Sequence, residues 1–349
     1  MKQKNLRSLR SFHQIKNLVV GAFSLLILSC CIWFSDKTQQ TELPKSDTPP
    51  SLYSNQCKHN LTGNLVAAIK SAKQSVLVLI YSMTDKNIME ALRLKREEGI
   101  PVTVICDAKA SPYIERYLGK KIKVLKRYSK GLMHLKLLVV DGKQVWIGSA
   151  NFTQDSLEMH GNLVMSMENP ALAEFIKERA GCMDEAMNSK AFDHRGYLLG
   201  GQKLEFWFLP DDRHAASRVK DLIRSAKKTV KVAMFTWTRD DFVKEIVDAR
   251  LRGVEVEIAV DSNSSKGAGA KVVGLLKQNG LPVKVNKGAG LLHHKFVYID
   301  GKTLVSGSAN WTKAAFNMND DCFVVLHDLT KEQHKVMEQL WKTIKLESK

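Results

Sequence analysis

Two stretches of the chain carry one chemistry-bearing pattern: a histidine, a lysine two positions on, four residues of largely apolar character, Asp-Gly, then Gly-Ser-x-Asn. The first copy holds His134, Lys136, Asp141, Gly148, Ser149 and Asn151; the second holds His293, Lys295, Asp300, Gly307, Ser308 and Asn310. A neutral imidazole can attack phosphorus, and a second, protonated one can hand its proton to the departing oxygen. Paired lysines would hold the oxygens of an anionic centre, the electrostatic contribution that usually dominates such reactions. Ser149, Asn151, Ser308 and Asn310 offer further hydrogen bonds there. At a strand's period of two, each histidine shares a face with its lysine, leaving Leu135 and His294 on the other. His294 is therefore not expected in the site. Asp141 and Asp300 stand an odd number of residues from the histidines, so they turn away, and their expected work is to cap the hairpin or brace the strand. Lone histidines such as His13, His59 and His214 read as surface or satisfied core. Two His-x-Lys pairs with identical downstream spacing do not arise by chance. The lysines would repel a divalent cation and no carboxylate cluster accompanies the histidines, so no metal or other cofactor is expected.

The elements that must position these residues are themselves repeated. Ile69 to Lys73 with the run ending at Tyr81 recurs as Ile223 to Lys227 with the run ending at Phe235, and Gly99 to Asp107 recurs as Gly253 to Asp261. His134 to Thr153 recurs as His293 to Thr312. The offset grows from 154 (Ile69 to Ile223) to 159 (His134 to His293), which places a five-residue loop difference near Lys266 to Gly280. Asn87 to Glu98 and Asp240 to Leu251 carry helical periodicity, while the runs ending in Asp107 and Asp261 are short and β-branched. Asp141-Gly142 and Asp300-Gly301 between apolar runs signal hairpins. Helices alternating with buried strands predict an α/β layer structure in each half, the two packed as a pseudo-dimer within one monomer. Gly267-Ala268-Gly269 falls in the variable loop and reads as a plain turn.

With HLKLLVVD and GSANFT in one half, and HHKFVYID and GSANWT in the other, the chain resembles the phospholipase D superfamily from about Ser51 to Glu347. The resemblance implies a mixed α/β sandwich per half, one active site at the pseudo-two-fold interface, no metal, and a covalent phosphohistidine intermediate. The catalytic set it implies is His134, Lys136, Asp141, His293, Lys295 and Asp300, supported by Ser149, Asn151, Ser308, Asn310 and Asp321. In the family, a carboxylate beyond Gly-Ser-x-Asn orients the histidine of its own half. Asp321 fits in the second half, two positions after Asn319, whereas the first half has His160 and Asn162 and departs from the pattern. A carboxylate raises imidazole basicity, so His293 is expected to hold a proton better than His134. On that ground His134 is the expected nucleophile and His293 the general acid. The expected reaction is cleavage or exchange of a phospholipid headgroup. A metal-independent endonuclease of the same superfamily is the alternative, and a non-catalytic polyanion-binding protein the more distant one.

The net charge of +17 excludes neither partner class. Residues 1–35 hold five basic residues and no acid, leaving +12 for the rest, which predicts attraction to phospholipid headgroups, nucleic acid or a membrane surface. Asn17 to Phe34 is an almost unbroken apolar run behind that basic flank, a secretory signal or membrane anchor rather than part of the fold. The flank would stay cytoplasmic and send the rest across, so an exported, membrane-associated protein of the cell envelope is expected. Ile27-Leu28-Ser29-Cys30 loosely resembles a lipoprotein cleavage box with Cys30 lipidated, although Leu28 fits it poorly. Residues 36–50, with Pro44, Pro49 and Pro50, read as a polar linker, followed by halves at 51–195 and 196–349. Six cysteines are too few for a disulfide scaffold in a chain of 349 residues. Cys106 and Cys322 read as buried hydrophobes, and Cys57 and Cys182 are free to pair if the protein is exported.

Overall fold

The computed structural model describes residues 42–183 and 191–349, so the apolar leader, Cys30 and the start of the linker lie outside the described residues. Each repeat builds one mixed sheet. The first holds β1 (Ser51–Tyr53), β2 (Val76–Ile80), β3 (Val102–Asp107), β4 (Lys123–Arg127), β5 (Lys136–Val140), β6 (Gln144–Gly148) and β7 (Val164–Glu168), in the order β1-β7-β6-β5-β2-β3-β4. The second holds β8 (Arg195–Leu199), β9 (Gln202–Leu209), β10 (Thr229–Met234), β11 (Glu255–Val260), β12 (Val283–Val285), β13 (Lys295–Ile299), β14 (Thr303–Gly307) and β15 (Asp321–Leu326). Its order, β12-β11-β10-β13-β14-β15-β9-β8, is the same with β9 in the place of β1 and β8 added at the edge.

The β2, β3 and β4 strands run parallel; β2 and β3 are buried on both faces, which is why they read as apolar runs, while β4 at the edge is only half-buried. Outward-facing Val78 and Ile80 pack with Leu65, Ile69 and Leu92 of the helices Leu61–Ser71 and Lys86–Glu97. Val232 and Met234 pack likewise with Val219, Ile223 and Phe242 from Ala215–Ser225 and Asp240–Leu251. The inner faces of both sheets share one core with Pro170–Gly181 and Lys331–Leu346, where Phe175, Phe206, Phe296 and Trp341 meet. The layers are therefore helix, sheet, helix, sheet, helix, with one apolar core between the two sheets and buried polar groups, such as Arg179 with Asp320, where the halves meet at the strand ends.

Three local findings bear on the site. The hairpins after Val140 and Ile299 are left-handed at both central residues, Asp141 (φ 54°) with Gly142 (61°) and Asp300 (53°) with Gly301 (69°), the geometry that Asp-Gly favours. The five additional residues of the second half become part of a second helix: Ser262–Lys266 and Ala270–Gln278 stand where the first half has only Ile114–Leu118. A short helix follows each Gly-Ser-x-Asn, Gln154–Glu158 and Lys313–Asn317, started by the side chains of Thr153 and Thr312. Periodicity does not reveal five-residue helices. Cys57 and Cys182 stand as free thiols, as do Cys106 and Cys322. Among the described residues, no helix is long and apolar enough to cross a membrane.

Candidate active site

The two motif strands, β5 and β13, begin at the lysines, so each histidine sits just off a strand end, where the halves meet. Its main chain is held by the opposite half: His134 N donates to Asp320 O (2.8 Å) and His293 N to Gly161 O (3.0 Å). The loops before them are pinned from within their own halves, Met133 N to Asp107 Oδ2 (3.0 Å) and Leu292 N to Asp261 Oδ2 (3.1 Å). Both aspartates end repeated strands, the signal that could have nominated them.

Side-chain partners also cross the seam. His134 Nδ1 lies 2.9 Å from Asp321 Oδ1, and His293 Nδ1 lies 3.0 Å from Asn162 Oδ1. This corrects the expectation that Asp321 orients His293: the carboxylate belongs to one half and the histidine it orients to the other. Ser308 Oγ donates to Asp321 (2.6 Å) and Ser149 Oγ to Asn162 (2.7 Å). The serines therefore brace the groups that orient the histidines, and are not aimed at a phosphate as anticipated. Asn162 Nδ2 donates to Ser156 O (2.6 Å), which fixes its amide so that Oδ1 faces the imidazole N–H. Each ring is thus held with its proton on Nδ1 and Nε2 left for chemistry.

Lys136 Nζ donates to His134 O (2.6 Å) and Lys295 Nζ to His293 O (2.5 Å), so each ammonium is anchored beside its own histidine. Tyr81 and Phe235, at matching ends of the β2 and β10 runs, present ring edges or faces to the histidines at 5.1 and 4.8 Å between centroids. The same rings lie under Lys136 and Lys295 at 5.2 and 4.7 Å. These aromatics went unnoticed in the sequence, although their matching positions in the repeat mark them. Asn310 Oδ1 accepts from Thr236 N (3.1 Å), while the buried Asn151 Oδ1 has no hydrogen-bond partner.

Asp141 and Asp300, counted in the implied catalytic set, do not reach the site. They lie at the far ends of β5 and β13, where Asp141 accepts from the backbone of Lys73, Gln74 and Ser75 and Asp300 from that of Lys227, Lys228 and Thr229. Each braces the turn that starts β2 or β10, the role strand parity suggests. His294 faces away too, its Nε2 2.6 Å from Gln56 Oε1.

Four groups that would like to be cationic share this buried space, and each suffers for it. Burial, then Lys136, lowers the His134 pKa despite the opposing pull of Asp321. His293 is pushed well below the ordinary imidazole value by burial and by Lys295, Lys136 and His134, with no carboxylate to offset them. Burial brings Lys136 down to about 7, and burial with Lys136 lowers Lys295 strongly. Such a site is short of one or more negative charges. A phosphodiester anion supplies one.

Paired histidines and lysines meeting across two matched α/β halves define the phospholipase D class of architecture. The chain belongs to the family described as cardiolipin synthase, PLD-like domain, whose model matches residues 65–181 and 219–344. It is 34% identical over 131 residues to the mitochondrial cardiolipin hydrolase of Chlamydomonas reinhardtii, covering 37% of this chain and 58% of that protein. It is 28% identical over 135 residues to the Xenopus laevis protein of the same name, covering 38% and 64%. The match thus spans less than two thirds of either relative. The fold is that of phosphatidylserine synthase from Haemophilus influenzae, with a TM-score of 0.68 at 16% identity over 88% of each chain.

Proposed function

We propose that this protein is a phospholipase D-type phosphodiesterase that cleaves or exchanges phospholipid headgroups through a phosphohistidine intermediate. The observation that carries the reading is the pair of imidazoles from opposite halves, each held by Nδ1 with a lysine beside it. His134 Nε2 attacks phosphorus while the bond to the leaving oxygen breaks, and protonated His293 gives that oxygen its proton. Neutral His293 then takes a proton from the water or alcohol that attacks the N–P bond. The bound phosphodiester anion offsets the mutual repulsion of the site and favours the proton that His293 needs.

These proposed roles are the ones expected from the sequence, but the argument for them changes, because Asp321 faces His134 and not His293. Positive charge develops on the nucleophile as the N–P bond forms, and Asp321 stands where it stabilises that charge, as a carboxylate does for a catalytic imidazolium. The acid must release its proton, and the neutral amide of Asn162 does not hold it back.

Two features support lipid over other phosphodiesters. The relatives above are named for cardiolipin, and the apolar run from Asn17 to Phe34 would tether the catalytic unit to a bilayer, in keeping with the envelope location expected from the leader. The basic surface favours polynucleotide as the second reading. Full-length protein assayed with chelator on mixed phospholipid vesicles and on plasmid or single-stranded DNA separates them. Turnover of lipid is expected; turnover of DNA alone would overturn the assignment, and loss of all activity with chelator would contradict the metal-free mechanism.

A further inference from the structure

Beyond residue 35, the surplus of positive charge is confined to two segments. Residues 108–133, which lead into His134, hold eight basic side chains and one acid, Glu115; residues 262–292, which lead into His293, hold five and none. The remaining residues from 36 onward balance to zero. Lys109, Lys130, Lys266 and Lys287 in these segments are exposed.

Apolar exposure collects in the same place. Of the ten large apolar side chains exposed among the described residues, six stand in or beside the segments that flank the motifs. Tyr128 and Leu132 lie on the loop into His134, Met159 and Met318 follow the two short helices, and Tyr113 and Tyr117 stand at the cap and within the helix Ile114–Leu118. These segments touch. A Cβ on Gly131 would come within 2.3 Å of Met318 O, and one on Gly290 within 2.0 Å of Met159 O, so only glycine permits either approach. Asp320 N donates to Leu132 O (2.9 Å), and the ring of His160, next to Met159, lies 6.3 Å from that of His293. Lys126 Nζ bonds Pro112 O and Glu115 Oε2, which draws the helix Ile114–Leu118 and its tyrosines to the end of β4, beside Tyr128. Met159 and Met318 occupy equivalent places in the two repeats and are 55% and 51% exposed.

Scattered exposed apolar residues are ordinary; a cluster of them framed by charge marks a contact surface. Tyrosine suits the boundary between hydrocarbon and headgroups, and clustered lysines attract anionic leaflets. We propose that this rim docks on an anionic phospholipid bilayer, seating Leu132, Met159, Met318 and the tyrosines among the headgroups with the histidine pocket facing the lipid. A polynucleotide would use the lysines but would leave Met159, Met318 and Leu132 in water. The proposal rests on the phospholipid reading for its purpose. With His134 and His293 only 7% and 6% exposed, a lipid still packed in a bilayer can bring its phosphate to them only where this rim lies against the membrane.

The test is hydroxyl-radical footprinting of the full-length chain on vesicles of phosphatidylglycerol and of phosphatidylcholine, read peptide by peptide. The basic, apolar leader would hold the chain on either vesicle and more firmly on the anionic one, so it is the loss of protection in the rim variant below that assigns the effect to the rim. Oxidation of Met159 and Met318 should fall about fivefold on the anionic vesicles, the scale of one or two lysines at a charged surface, with exposed Leu251 unchanged. A Lys130→Glu, Lys287→Glu double variant should lose that protection and turn over vesicle lipid about tenfold more slowly, while cleaving a short-chain phospholipid below its micellar concentration at the parent rate. Equal oxidation on both vesicles, or protection by single-stranded DNA and not by vesicles, would overturn the docking surface. Protection without any lipid turnover would keep it and remove the phospholipase assignment instead.

Discussion

The two halves share strand order, hairpin geometry and the His-x-Lys pair, yet they treat their imidazoles unequally. His134 faces a carboxylate, Asp321, and His293 faces an amide, Asn162, at the same distance to within 0.1 Å (2.9 and 3.0 Å). Even the bracing serine is conserved between the halves, Ser308 on one and Ser149 on the other. Geometry is thus kept symmetric while charge is not. The reaction asks for that division, because one ring must gain positive charge in the transition state while the other loses it.

The comparison breaks outright if the halves work independently. His134→Ala and His293→Ala should each lower kcat by about 10⁴-fold or more, since each removes a whole chemical role from one composite site. A near-normal rate in either variant would mean separate sites. Asp321→Asn makes the halves alike and should cost about 10²–10⁴-fold in kcat, the range for a carboxylate that steadies a catalytic imidazolium. Asn162→Asp should cost much less and shift the alkaline limb of kcat upward, because a carboxylate favours the protonated form of His293. Radiolabelled phosphoenzyme trapped on His293, or a larger loss from Asn162→Asp than from Asp321→Asn, would exchange the two roles.

Acid–base behaviour sharpens the picture further. Burial brings Lys136 down to about 7, so above that pH the lysine meets substrate as the neutral amine and binds a phosphate less well. The expected profile is a fall in kcat/KM that begins as pH rises through the lowered His293 value and steepens past 7, with a later fall in kcat, since bound phosphate favours both protons. The smallest effect is assigned to Asp141 and Asp300. Alanine at either should lower stability by about 1–3 kcal/mol, the cost of leaving backbone N–H groups unpaired, with kcat little changed. Burial raises the pKa of Asp300, but the N–H groups of Thr229, Lys227 and Lys228 outweigh it and hold the carboxyl below its usual value. Its contribution is therefore present at neutral pH and lost as pH falls through that lowered value. Denaturant titrations at pH 7 and in acid below the ordinary carboxylate range check both points.

Much of this was readable without coordinates, because the repeat is written in local patterns. The Asp-Gly turns, the His-x-Lys parity and the turning away of Asp141, Asp300 and His294 all follow from spacing of a few residues. The partner of Asp321 does not. Within one half it is the obvious orienting group for His293, and only the crossing of Met133 onto Asp320, and of Leu292 onto Gly161, sends it to His134. That contact spans 187 residues, beyond the reach of periodicity. Tyr81 and Phe235 were overlooked because an aromatic at a strand end is ordinary, and the serines were misplaced because a hydroxyl's target depends on which neighbour arrives across the seam.

Each catalytic ring hangs from a peptide whose nitrogen is clasped by the other half of the molecule. Prising the halves apart by the length of one such clasp withdraws both rings together, and neither fragment keeps a portion of the reaction.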